Sequence, residues 1–182
     1  MGLRTEQISY LGKRCIMSEC DFLGVFPADR IPTVVNGGKR PAAYVVTIDT
    51  SDKPGKHWIA FWHRRGGEAE YFDSYGLPLE NYTDVYKHLP QTTKIVASNN
   101  KCLQSYESVL CGHYCIFFLA FRSAGYSMTT ITNLIDAQGH SANRDCYVAR
   151  KVAELICGNR YSSFAYCNCD PSSQCCISMM TK

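Results

Sequence analysis

Long apolar runs are missing from this chain. The longest, Cys115 to Phe121, is far too short to cross a bilayer. The first 30 residues hold no continuous apolar segment of the kind a secretory signal requires. We therefore expect an intracellular protein that is not secreted and has no membrane association. Met1-Gly2 does not open a myristoylation pattern, because the position that needs a hydroxyl is Glu6. A large excess of one charge is also lacking. The chain has 19 basic and 16 acidic residues, a formal net charge of +3, which permits contact with nucleic acid without requiring it. No internal repeat is visible, which excludes a solenoid or array.

The chain does have enough apolar material for a core. It is 182 residues long, 46% hydrophobic and 12% aromatic. That suits one globular domain, placed at residues 1–160, followed by a cysteine-rich tail at 161–182 that is peripheral or flexible. Eleven cysteines would suit a disulfide framework in a small secreted protein, but the number is odd and the chain is long. The expected state is reduced. Cys167, Cys169, Cys175 and Cys176 lack the usual C-x₂-C spacing, and His140 is the only histidine near them in sequence, so no metal site is expected.

Strand and helix signals alternate along the domain. Residues 6–17 read as a short helix and residues 21–27 as an aromatic-anchored loop. Ala43-Tyr44-Val45-Val46-Thr47-Ile48 is β-branched and reads as a buried strand. Residues 57–63 and 68–74 read as a hairpin, and residues 93–97 as a fourth strand. Residues 81–88 form a short helix. Helices are expected over 111–123, 128–135 and 145–157, the last with apolar residues at 148, 152, 155 and 156.

The most informative stretch is Leu110-Cys111-Gly112-His113-Tyr114-Cys115, which runs into the apolar segment ending at Phe121. A polar loop leads into it. If the segment is a helix, Cys111 stands at its first turn, where unpaired backbone N–H groups and the positive helix end favour a thiolate. Cys115, one turn later, reads as packing. A thiolate nucleophile needs an imidazole, a group to orient that imidazole, and donors for an oxyanion. The hairpin supplies two of these. With a three-residue loop at 64–66, residue 63 faces 67 and His57 faces Asp73 across the strands. A four-residue loop would instead put Ser74 opposite His57.

Four segments in order resemble the adenovirus protease (adenain) family, and more distantly the ubiquitin-like-protein proteases that share its fold. They are Gly55-Lys56-His57-Trp58, Tyr71-Phe72-Asp73-Ser74-Tyr75-Gly76, Leu103-Gln104-Ser105 and Leu110-Cys111-Gly112-His113-Tyr114-Cys115. Residues 20–32 also resemble the adenoviral form. The resemblance implies an α+β, papain-like or adenain-like cysteine protease fold. A central mixed sheet is flanked by helices, and the nucleophile opens the central helix. It implies Cys111 as nucleophile, His57 as its base, Asp73 as the orienting acid and Gln104, seven positions before Cys111, as an oxyanion donor. The backbone N–H of Cys111 is the second donor, with Trp58 as a weaker expectation.

The implied activity is endopeptidase cleavage of viral structural precursors at Gly-containing sites, by a monomer, in the host nucleus and the virion. The chemistry requires no cofactor. Family members are activated by a viral peptide, through a disulfide, and by DNA. Cys102 is the nearest candidate for that disulfide, although it lies closer to Cys111 than the pattern requires. Asp73 stands where the adenoviral enzymes carry glutamate and the cellular relatives aspartate. A protease acting on ubiquitin or a ubiquitin-like modifier is therefore one alternative. A non-catalytic binding protein of the same fold is another, against which stands the filling of all four positions. Val35-Asn36-Gly37-Gly38-Lys39 has the form of a cleavage site after Gly38, although a plain glycine turn is the favoured reading.

Overall fold

The computed structural model describes residues 2–34, 40–64 and 67–157. The Gly37-Gly38 segment and the tail cysteines lie outside the described residues. Helix α1 (Thr5–Cys15) is followed by strands β1 (Asp21–Pro27), β2 (Ala42–Thr47), β3 (Trp58–His63) and β4 (Glu68–Phe72). Then come α2 (Thr83–His88), β5 (Lys94–Ser98), α3 (Cys111–Ser123), α4 (Met128–Asp136) and α5 (Ser141–Cys157). The strands form one mixed sheet in the order β1-β2-β3-β4-β5. The outer pairs, β1 with β2 and β4 with β5, are parallel, and the inner pairs are antiparallel.

Every residue of β2 and β3 is buried. Strands covered on both faces carry continuous apolar runs rather than alternation. On one face Ala43, Val45, Ala60, Trp62 and Phe72 pack with α1, α3, α4 and α5. On the other, Tyr44, Val46, Ile59, Phe61 and Tyr71 pack with Ala28, Leu79 and Val85. Helix α3 is apolar all round because the sheet lies on one side and helices on the others. Phe118 stacks on Phe72 with ring centroids 4.6 Å apart. Ile116, Phe117, Phe118 and Leu119 are fully buried, each worth about 1.5–3 kcal/mol of transfer free energy. A Cβ on Gly112 would lie 2.9 Å from Ile8 Cδ1, so glycine is what lets α1 seat directly against the first turn of α3.

Two expectations change. Residues 21–27 are a strand, not a loop: β1 pairs with β2 from Asp21↔Ala42 to Pro27↔Thr47, with an irregularity between Phe22 and Gly24. Its glycine and proline disguise it, and an edge strand tolerates both. The hairpin register also differs from the one expected. His63 pairs with Ala69 and Ala60 with Phe72, and the Arg64 N–H donates to the Glu68 carbonyl at 2.8 Å. Gly67, at φ 84°, takes the left-handed position of the turn. The loop thus moves by one residue and the pairing by two. A shift of two preserves which face each side chain occupies. Extended beyond the ladder, His57 faces Tyr75, and Asp73 becomes its diagonal neighbour.

Candidate active site

Three chain segments converge at the start of α3. The helix begins at Cys111, and its first intrahelical bond runs from the Tyr114 N–H to the Leu110 carbonyl at 3.0 Å. The N–H groups of Cys111, Gly112 and His113 precede that bond and lie at the positive end of the helix. Leu110 offers no side-chain cap. Cys111 is 8% exposed.

His57 immediately precedes β3 and Asp73 immediately follows β4, which puts both at the same end of the hairpin. The imidazole Nε2 lies 2.6 Å from Asp73 Oδ1. Its other nitrogen is left for a hydrogen bond with Cys111. Burial alone would lower the His57 pKa. The hydrogen bonds and negative charges of Asp73 and Cys111 override it and raise the pKa from 6.5 to about 9. Both partners thus favour the charged form of the imidazole.

Asp73 is completely buried, and its carboxylate is fully engaged. Oδ1 accepts from the Tyr75 N–H at 3.1 Å, and Oδ2 from the Leu77 N–H at 2.9 Å and the Tyr82 hydroxyl at 3.0 Å. Its backbone is clamped by Asn99, whose Oδ1 accepts from the Asp73 N–H at 2.9 Å and whose Nδ2 donates to the Asp73 carbonyl at 2.5 Å. The tight turn that brings these donors back ends at Gly76, whose φ of 67° suits glycine. A Cβ there would also meet the Lys101 backbone at 2.5 Å.

Gln104 is 1% exposed and tied to the same turn. Its N–H donates to the Ser74 carbonyl at 3.1 Å, and Ser74 Oγ donates to Gln104 Oε1 at 2.7 Å. Nε2 donates to the Ser108 carbonyl at 2.8 Å and to the Tyr75 hydroxyl at 3.5 Å. This pattern fixes the amide's orientation. A residue of the polar loop is thereby joined to the end of β4, next to Asp73.

Cys102 is exposed, and its Sγ lies 3.4 Å from the Gln104 carbonyl oxygen. Cys115 is buried in the core, and that burial pushes its thiol well above its ordinary pKa. His63 and His113 are held down to about 4 by burial, and His63 meets the Tyr44 hydroxyl at 2.9 Å on the other face of the sheet. His88 Nδ1 sits against the Asp84 carbonyl. The Trp58 indole donates to the Leu3 carbonyl at 3.2 Å. Among the described residues no group of three or more His, Cys, Asp or Glu is arranged to hold a metal, and no helix is long and apolar enough to cross a membrane.

Sequence reasoning passed over Tyr75, Tyr82 and Asn99. Tyr75 stacks on His57 at 4.7 Å and 24°, and Tyr82 tilts against the same ring at 5.9 Å. The signal for Tyr75 was its place two residues after Asp73. Tyr82 and Asn99 carried none.

No family model matches the chain, and no curated protein matches it. Among solved structures, the chain is similar to the crystal structure of the ASFV pS273R protease, at 27% identity. The match covers 50% of this chain and 38% of that one, with a TM-score of 0.33. With so partial a match, it is the geometry at the start of α3 that carries the functional reading.

Proposed function

We propose that this chain is a cysteine endopeptidase. The observation that supports it best is one imidazole held between a buried carboxylate, 2.6 Å away, and a thiol at the first residue of a helix. In this reading Asp73 orients His57, and His57 holds the Cys111 proton. The thiolate attacks a peptide carbonyl, and the oxygen that becomes negative accepts from Gln104 Nε2 and the Cys111 N–H. As the C–N bond breaks, the His57 imidazolium delivers its proton to the leaving amine. A water then gives a proton to His57 and attacks the thioester, which releases the acid and restores the thiolate–imidazolium pair.

The substrate class comes from the adenain-like motifs: polypeptides with glycine near the scissile bond, with viral structural precursors in the host nucleus and the virion as the setting. Aspartate at position 73, the form usual in the cellular relatives, favours a second reading as a ubiquitin-like-modifier protease. Peptide activation would engage Cys102, the exposed thiol of the Gln104 loop.

The test is cleavage of a Gly-x-Gly peptide library and of an intact modifier, with and without DNA, by wild type and Cys111→Ala. Cleavage that persists in Cys111→Ala refutes the proposal. Preference for the intact modifier selects the second reading. A rate that rises with DNA makes DNA an activator. Iodoacetamide at neutral pH should alkylate Cys111 ahead of Cys15 and Cys20, whose thiols burial pushes up to about 11 and about 12.

A further inference from the structure

Tyr75 touches three parts of the site at once. Its ring lies flat on the His57 imidazole at 4.7 Å, its backbone N–H donates to Asp73, and its hydroxyl oxygen accepts from Gln104 Nε2 at 3.5 Å. On its outer side it stacks against Tyr106, with centroids 5.7 Å apart. Four neighbours thus define the residue's position, and the hydroxyl is not free to wander. Burial raises the Tyr75 pKa, and the charge of Cys111 is the largest electrostatic contributor in the same direction, so the phenol keeps its proton.

Gln104 limits where an oxyanion can sit. Its carbonyl oxygen is taken by Ser74, and one N–H donates to the Ser108 carbonyl. The remaining N–H is the one directed at Tyr75. An oxyanion that accepts from this N–H therefore lies beside the phenol oxygen. That oxygen already accepts from Gln104, and among the described residues its hydrogen meets no acceptor, so the O–H is available to donate. A contact of 3.5 Å is long for a neutral pair, but catalytic hydrogen bonds are often long in the free enzyme and tighten around the developing charge.

We propose that the Tyr75 hydroxyl is a third oxyanion donor, catalytic in its own right, beside Gln104 Nε2 and the Cys111 N–H. No proton is transferred: the phenol donates a hydrogen bond to the tetrahedral intermediate and keeps its hydrogen. The inference rests on the cysteine endopeptidase reading above.

Tyr75→Phe keeps the ring and its stack on His57 and removes only the oxygen. With the best peptide from the library, kcat should fall about 10–100-fold while KM stays within about twofold, as for loss of one oxyanion donor among three. The Ki of a peptide aldehyde should rise by a similar factor, because its thiohemiacetal oxygen occupies the same place. The pH profile of Cys111 alkylation by iodoacetamide should not move, since that reaction forms no oxyanion. A kcat within twofold of wild type overturns the inference. So does an alkylation profile that shifts together with kcat, which would place the hydroxyl's action on the thiolate–imidazolium pair. Wild type that cleaves with Cys111 dependence beside an unimpaired Tyr75→Phe removes this inference alone. Absence of any Cys111-dependent cleavage removes the underlying reading and this inference with it.

Discussion

Asp73→Asn is the most exacting perturbation of this site, because one substitution reverses the balance of forces on His57. The wild-type imidazole is raised from 6.5 to about 9 although burial, the largest single influence, pulls it down. That difference is about 3 kcal/mol of preference for the protonated ring. The Asp73 carboxylate supplies both a 2.6 Å hydrogen bond and a charge towards it. Asparagine keeps the volume but has one acceptor oxygen where the carboxylate has two, against four donors: His57, the Tyr75 and Leu77 N–H groups and the Tyr82 hydroxyl. With the charge gone, burial dominates, and the His57 pKa should fall to 6.5 or below. The direction of each pH limb follows. A protonated His57 is needed beside the thiolate, so wild-type kcat/KM should hold on the alkaline side until it declines through about pH 9. In Asp73→Asn the decline should begin at least two pH units lower, and the pH-dependent alkylation of Cys111 should move with it. Stability is linked in the same sense: a histidine raised on folding stabilises fully below its unfolded pKa of about 6.5, and this contribution is lost as the pH rises to about 9. Fluorescence-monitored urea unfolding at pH 6 and pH 9.5 should therefore show a pH-dependent loss in wild type that is reduced in the variant. An Asp73→Asn enzyme whose alkaline limb stays near pH 9 would refute the reasoning, since the carboxylate would not be what holds the proton on His57.

Gln104→Ala should lower kcat by about 10²–10³ with little change in KM, measured on the same peptide, because in the proposed mechanism it removes an oxyanion donor together with the Ser74–Ser108 brace. Asp145, which accepts from the Tyr114 hydroxyl at 2.8 Å and holds Ser108 and Ser105, fastens the Gln104 loop to α5, so Asp145→Ala should lower kcat several-fold while iodoacetamide alkylation of Cys111 keeps its rate. Away from the site, Glu70 is buried in β4 and bound by Arg64 and by Arg122, whose guanidinium also lies 5.1 Å over the Trp62 ring. Arg122→Ala should cost about 1.5–3 kcal/mol, a fall in Tm of about 3–12 °C in a thermal melt, because Glu70 would lose its more buried partner and keep only Arg64.

What the sequence disclosed, and what it concealed, follows from where information sits along a chain. Cys111 was legible because a helix start is a local event: a polar loop, a cysteine, a glycine and then an apolar run. The two central strands were legible because continuous burial writes itself as continuous apolar sequence. Strand β1 was concealed because pairing with β2, not its own composition, makes it a strand. The hairpin teaches more. The expected register was off by two residues, yet it put His57 and Asp73 on the correct face, since a shift of two leaves the sidedness of every residue unchanged. What the error hid was Tyr75, which the actual register sets opposite His57 while Asp73 takes the diagonal place. Parity is a robust inference from sequence, and partnership is not, because one residue of loop decides it. The neighbours that complete Asp73, namely Asn99 and Tyr82, come from segments 26 and 9 residues away. No local pattern marks them, because their roles exist only once the sheet has brought the loops together. In the proposed site, the candidate residues for chemistry declare themselves by type and order, and the residues that hold them in place are found only in three dimensions.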